Sequence, residues 1–316
     1  MADPRERSRS AMSAAVARGT HRLWDEPPWI VDDPFALLLV GPGWQEIAAA
    51  SRRLARPEVT RQGHAGVLVR SRYAEDCLLE GDYVQYVILG AGLDSFAWRR
   101  PDLCRALHVF EVDHPATQAW KRTRAESLAL PILGNHRFVP IDFETQSLGE
   151  ALDTAGFDRA RRALFSCVGT TMYLGVEAVA TTLGVVGSCA PGSAVVLSYN
   201  QDLEFVDDIG REFLAAIMPH VAESEEPVRT SFSPSAMEAL LEHHGLTVID
   251  HPTADELFTR YCSDRCDRLR PYTLERLVLA ANKRVERAGM TGGRQEGGLP
   301  PAAHTRRSTH LRWRRA

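Results

Sequence analysis

The fold predicted from the sequence is an α/β domain with a mostly parallel sheet covered by helices on both faces. Two observations predict it. From Tyr83 onward, short continuous apolar runs alternate with polar or amphipathic stretches long enough for helices. The first of those runs ends in Gly90-Ala91-Gly92, the punctuation of a strand that feeds a helix.

Residues 7–22 have a helix-forming composition, and Pro27 and Pro28 break the pattern after them. Residues 32–41 (DDPFALLLVG) read as a short helix ended by Gly41, Pro42 and Gly43. Residues 44–56 and 63–80 also suit helices. This section, residues 1–80, is read as a helical N-terminal lid that covers a site on the domain that follows. Its first helix sets Met12, Val16 and Leu23 at roughly helical spacing beside Arg9, Arg18 and Arg22. As a lid, residues 1–30 could be deleted without loss of the fold.

Strands are expected in 83–92 (YVQYVILGAG), 106–113 (ALHVFEVD), 136–143 (HRFVPIDF), 163–169 (ALFSCVG) and 193–200 (SAVVLSYN). Residues 234–245 make an amphipathic helix with Gly245 near its end, and 246–251 (LTVIDH) read as a further strand. Residues 81–282 are thus the sheet domain, with an insertion around 200–232 on the acceptor side. Residues 283–316 are rich in Gly, Pro and Arg and read as a disordered basic tail.

Composition narrows the function classes. The chain has 316 residues and a formal net charge of -4, which favours neither a nucleic-acid binder nor an acidic tail. The N-terminus lacks the apolar core of a secretory signal, and no segment approaches the ~20 apolar residues of a membrane span. A cytoplasmic protein without membrane partners is expected. Of six cysteines only Cys262 and Cys266 lie close, and no second Cys/His pair completes a zinc site, so no metal and buried free thiols are expected.

The glycine turn carries the chemistry. Glycines there let a backbone approach a ligand, and the following helix offers free N–H groups. A dinucleotide site would prefer a third glycine near Ser95 and no acid beside the pyrophosphate. This turn holds Asp94 instead. S-adenosylmethionine (SAM) has a sulfonium and an amino group and no phosphate, so charge favours SAM over NAD. The second strand ends in Glu111 and Asp113, either of which could accept ribose hydroxyls. The third ends in Asp142-Phe143, suited to an adenine amino group and ring.

Residues 84–99 (VQYVILGAGLDSFAWR), 110–121 (FEVDHPATQAWK), 138–143, 163–174 (ALFSCVGTTMYL) and 190–200, in this order, resemble the leucine carboxyl methyltransferase family. Within it they are most similar to the bacterial branch that includes polyketide O-methyltransferases. Residues 15–22, 32–39 and 232–246 share the likeness, which spans roughly residues 10–280. The resemblance implies a Rossmann-like class I SAM methyltransferase. It puts Gly90 and Gly92 against the methionine part of SAM, Asp113 on the ribose, and Asp142 and Phe143 on the adenine. It also puts Arg70 on the SAM carboxylate, a role that suits a guanidinium fork; Arg72 is an equal occupant. Many members carry a Glu after the fourth strand for the SAM ammonium. Here Ser166–Leu174 contains no acid, which leaves backbone carbonyls or Asp94.

Methyl transfer from a sulfonium needs alignment and exclusion of water more than activation. A carboxylate acceptor needs no base; a phenol or alcohol would, and none of the 11 histidines sits in a motif that marks it as one. His114 follows Asp113 and His220 lies in the insertion, where it could face a substrate. Tyr173 and Tyr199, near the ends of the fourth and fifth strands, are candidates to orient the acceptor. The expected function is O-methylation of a carboxylate or hydroxyl on a small molecule, such as a polyketide-type metabolite. The alternatives are a protein C-terminal carboxyl methyltransferase and a SAM-binding protein without catalysis.

Overall fold

Each apolar run forms a strand: β1 (Gln85–Leu89), β2 (His108–Asp113), β3 (His136–Pro140), β4 (Ala163–Cys167), β5 (Ala194–Asn200) and β6 (Leu246–Asp250). A seventh strand not anticipated from sequence, β7 (Glu275–Asn282), completes the sheet. Its order is β3-β2-β1-β4-β5-β7-β6. The pairs among β1 to β5 are parallel, and β7 runs antiparallel between β5 and β6. This computed structural model describes residues 8–222, 226–267 and 269–282. The expected tail, 283–316, lies outside them.

The helices are α1 (Arg9–Trp24), α2 (Ala36–Val40), α3 (Trp44–Leu54), α4 (Pro57–Glu80), α5 (Phe96–Arg99), α6 (Pro101–Cys104), α7 (Pro115–Ser127), α8 (Leu148–Thr154), α9 (Val176–Gly187), α10 (Asp208–Ala222), α11 (Pro234–His243) and α12 (Ala254–Tyr261). Their starts follow local chemistry. Ser233 caps α11 by accepting the Ala236 amide, and Thr253 with Glu256 forms a capping box on α12.

Strand alternation sends Val87, Leu89, Phe110 and Val112 to one face, where α8, α9 and α11 cover them with Leu152, Leu183 and Leu241. Tyr86, Ile88 and Val109 face the other way and meet Leu68, Val69 and Tyr73 of α4. Each such fully buried large side chain contributes roughly 1.5–3 kcal/mol of transfer free energy. Continuous hydrophobicity in β1 is therefore the signature of a strand buried on both faces.

The N-terminal section is built into this arrangement. Helix α4 is itself a covering layer of the sheet. Met12 and Val16 of α1 pack with Leu39 of α2, Leu93 of the glycine turn and Trp98 of α5. Residues 15–21 of α1 are all buried, whereas Leu23 is exposed. Arg18 and Arg22 are not free cations: Arg18 pairs with buried Asp33 at 2.9 Å, and Arg22 with Asp32 at 3.0 Å. Cys77, Cys104, Cys167, Cys189 and Cys262 are buried thiols, but Cys266 is exposed, contrary to expectation. Among the described residues no helix is long and apolar enough to cross a membrane.

Candidate active site

Parallel registration lines up the strand ends. Leu89 pairs with Val112, so Gly90 lies beside Asp113; Asp113 pairs with Pro140, two residues before Asp142. The turn is tied to β2 by the Gly90 and Ala91 amides, which donate to the Val112 carbonyl at 2.9 and 3.1 Å. Gly90 and Gly92 take φ values of +66° and +49°, in the left-handed region that glycine enters without strain. A Cβ on Gly90 would come within 2.2 Å of the Thr170 hydroxyl, at the end of β4. One on Gly92 would come within 2.8 Å of Ala11 Cβ, in α1. The turn is thus a cradle between the β4 loop and the start of α1.

Asp113 is half-buried and accepts from the Gly92 amide and, at 2.6 Å, from the His114 amide. Burial pushes its pKa up to about 6, against the pull of those two donors. Glu111 does not share its role. That carboxylate is fully buried between Lys121 of α7 and His136 of β3. Asp142 accepts from the Glu144 amide at 2.9 Å and the Thr145 hydroxyl at 3.0 Å. These bonds, the Glu144 amide foremost, hold its pKa below the ordinary value. Phe143 beside it is partly buried against the core. Asp94 accepts from the Phe96 amide at 2.6 Å, a local turn bond just ahead of α5.

The two arginine candidates separate clearly. Arg72 lies on the surface, paired with Asp76 at 2.7 Å. Arg70 turns inward, where a Cβ on Gly169 would stand 2.4 Å from its terminal nitrogen. One guanidinium nitrogen of Arg70 donates to both oxygens of Glu275, each at 3.0 Å. Burial alone would lower the Arg70 pKa; Glu275 more than offsets this, and the pKa ends above its ordinary value.

Tyr173, in a 3-10 turn after β4, stands beside this pair and near Ser10 at the start of α1. Burial raises its pKa, and Arg70 pulls it back. Tyr272 is buried there too. Tyr199 is not at the site surface. It is fully buried on the α11 side, with its hydroxyl 2.8 Å from His251 Nε2, whose other nitrogen meets Glu238 at 2.7 Å. The alternation of β5 points it away from Arg70. His114 is exposed and caps α7 by accepting the Ala116 amide; the His220 side chain lies outside those described.

Glu275, Tyr272, Thr170, Ser10 and Ala11 escaped sequence reading. Their types carry no motif, and each reaches the site through long-range packing. Together the residues fit an adenosine with an amino-acid tail. Acids at two successive strand ends can take ribose and adenine donors, and would repel a phosphate. The glycine cradle admits backbone contact, and Arg70 is a buried cation with donors beyond those used on Glu275.

A profile of the leucine carboxyl methyltransferase family matches residues 11–187. A Bacillus subtilis protein, provisionally named S-adenosyl-L-methionine-dependent methyltransferase YktD, is 31% identical over 303 residues, covering 88% of this chain and 99% of that protein. This chain belongs to the leucine carboxyl methyltransferase family. It is therefore a methyltransferase that uses SAM. A similarly named relative in Mycobacterium marinum is 31% identical over 206 residues, 61% of this chain and 66% of that one. The crystal structure of a DUF574 family protein from Streptomyces avermitilis shares the fold at 16% identity. Its TM-score is 0.54, over 87% of this chain and 100% of that one. This chain's strand order and glycine turn make a Rossmann-like class I architecture.

Proposed function

We propose that this family member methylates an oxygen of a small molecule, in the first instance the carboxylate of an organic acid of the polyketide type. The observation that carries the reading is the line of Gly90, Asp113 and Asp142 along adjacent strand ends, with Arg70 facing the same end from α4. When bound, SAM supplies an electrophilic methyl on a sulfonium. Asp113 would hold the ribose, Asp142 and Phe143 the adenine, Gly90 and Gly92 the methionine chain, and Arg70 its carboxylate. Asp94, with one oxygen on the Phe96 amide, would contribute field rather than a direct contact.

The remaining work is alignment and dryness. Tyr173 would orient the acceptor, since its hydroxyl lies between Arg70 and the start of α1. The N-terminal helices would cap the acceptor side as a fixed wall, with Ala11 seated on the turn. A carboxylate acceptor is supported by where three of the described histidines stand. His21 bonds Asp25, His136 faces Glu111 and His251 bonds Tyr199, so these three are held away from Tyr173. A hydroxyl acceptor would call on a base, and a protein C-terminus would call on an opening past α1.

The test is mass spectrometry of the purified protein with SAM and a panel of organic acids, phenols and peptides with free C-termini. Gain of one methylene mass on an acid, as a base-labile ester, is the expected result. Modification of phenols alone, or of peptides alone, would overturn the carboxylate or small-molecule part respectively.

A further inference from the structure

Residues 166–174, which follow β4 and border the glycine cradle, contain no acid. The amino-acid end of SAM is a zwitterion, with ammonium and carboxylate on one carbon. A buried arginine alone would attract the carboxylate and repel the ammonium. The other acids around the glycine turn are committed. Asp33 pairs with Arg18 at 2.9 Å, and Glu75 pairs with Arg99. Asp94 accepts from the Phe96 amide, and Glu111 is held by Lys121. Glu226 accepts from the Ser10 amide at the start of α1.

Glu275 is paired as well, but its partner is Arg70, the cation that faces the glycine turn. Glu275 stands at the first position of β7, paired in register with Asn200 at the end of β5. Its side chain is 5% exposed, and both oxygens face a single nitrogen of Arg70. That guanidinium touches Gly169, and the next residue, Thr170, touches Gly90. A continuous line of contact therefore runs from the cradle to an adjacent cation and anion. Such a pair complements a zwitterion: each member meets the opposite charge of the ligand while keeping the other neutralised.

We infer that Glu275, on the antiparallel strand β7, binds the ammonium of SAM while the neighbouring Arg70 takes its carboxylate. The inference rests on the proposed cofactor site. It assigns the specificity for an intact amino-acid tail to a residue 205 positions from its partner.

Calorimetry with three probes tests it: SAM, decarboxylated SAM (ammonium without carboxylate) and 5′-methylthioadenosine (neither). Glu275→Gln is expected to weaken SAM and decarboxylated SAM by about ten-fold or more. Methylthioadenosine should stay within about two-fold. The single variant leaves Arg70 unpaired, so the deciding protein is the charge-neutral double variant Arg70→Gln/Glu275→Gln. There the repulsion is gone, and decarboxylated SAM should still bind more weakly than to the wild type. Wild-type affinity for decarboxylated SAM in the double variant would overturn the inference and leave Glu275 as a partner that only orients Arg70. Equal loss of all three probes in a variant with an unchanged melting curve would also overturn it. A wild-type protein that binds neither SAM nor methylthioadenosine would overturn the cofactor site itself.

Discussion

The carboxylate of Asp113 accepts a hydrogen bond from the amide of Gly92, joining the end of β2 to the glycine turn after β1. Burial keeps the proton on this acid up to about pH 6, above its ordinary value of 3.8. Between those pH values the native state binds more protons than the unfolded chain. The stability linked to Asp113 is thus fully present below the unfolded value and is lost as pH rises through about 6, by roughly 3 kcal/mol at most.

Binding should have the opposite dependence. Ribose hydroxyls donate best to the ionised form, so SAM affinity should rise as pH passes upward through about 6. Asp113→Asn should flatten this step, and Asp113→Ala should cost about 2 kcal/mol of binding, roughly thirty-fold. Titration calorimetry across the range checks both. Unchanged SAM affinity in a folded Asp113→Ala protein would remove Asp113 from the site.

Arg70 and Arg72 make a matched pair for mutation. Arg70→Ala should lower SAM affinity by at least about ten-fold, on the scale of a charge-assisted hydrogen bond. Arg72→Ala should change it by less than about two-fold, because an exposed pair with Asp76 contributes little. The reverse ranking in a binding assay would refute the inward role of Arg70.

The two tyrosines should part in the same way. Tyr199→Phe leaves His251 without its hydroxyl partner and should cost about 1 kcal/mol of stability with transfer rates intact. Tyr173→Phe should leave the melting temperature nearly unchanged and lower kcat. Denaturant unfolding and single-turnover transfer measure each. A rate defect in Tyr199→Phe at full SAM occupancy would return that residue to the acceptor site.

Arg18 spans α1, the residues before α2 and the glycine turn. It donates to Asp33 at 2.9 Å and to the Leu93 carbonyl at 2.7 Å. Arg18→Ala would strand a carboxylate with no exposed surface, leaving Arg99 at 3.7 Å, and should cost about 3 kcal/mol. Deleting residues 1–30 should abolish cooperative unfolding, since Met12, Ala15 and Val16 leave a core shared with Leu93 and Trp98. Sequence reading expects the fold to survive that deletion, as a detachable lid would allow. A truncated protein with a sharp melting transition would restore the lid.

The sequence by itself determined what is local. A strand buried on both faces must be apolar throughout, and a chain that turns tightly beneath a close neighbour must use glycine. So β1 to β6, the Gly90–Gly92 turn and the acids at Asp113 and Asp142 were legible one segment at a time. Which of two acids or two arginines turns toward the glycine turn was not legible in one segment; the resemblance alone named Asp113 and Arg70. Glu111 and Asp113 lie two residues apart on one strand, and only the packing of Lys121 and His136 shows that Glu111 is spent inside. Arg70 and Arg72 share α4, and which faces inward follows from how that helix seats on the sheet. Strand β7 and Glu275 were decided last of all. An antiparallel strand inserted between β5 and β6 carries no motif of its own, and its first residue meets Arg70 only once the whole sheet has formed.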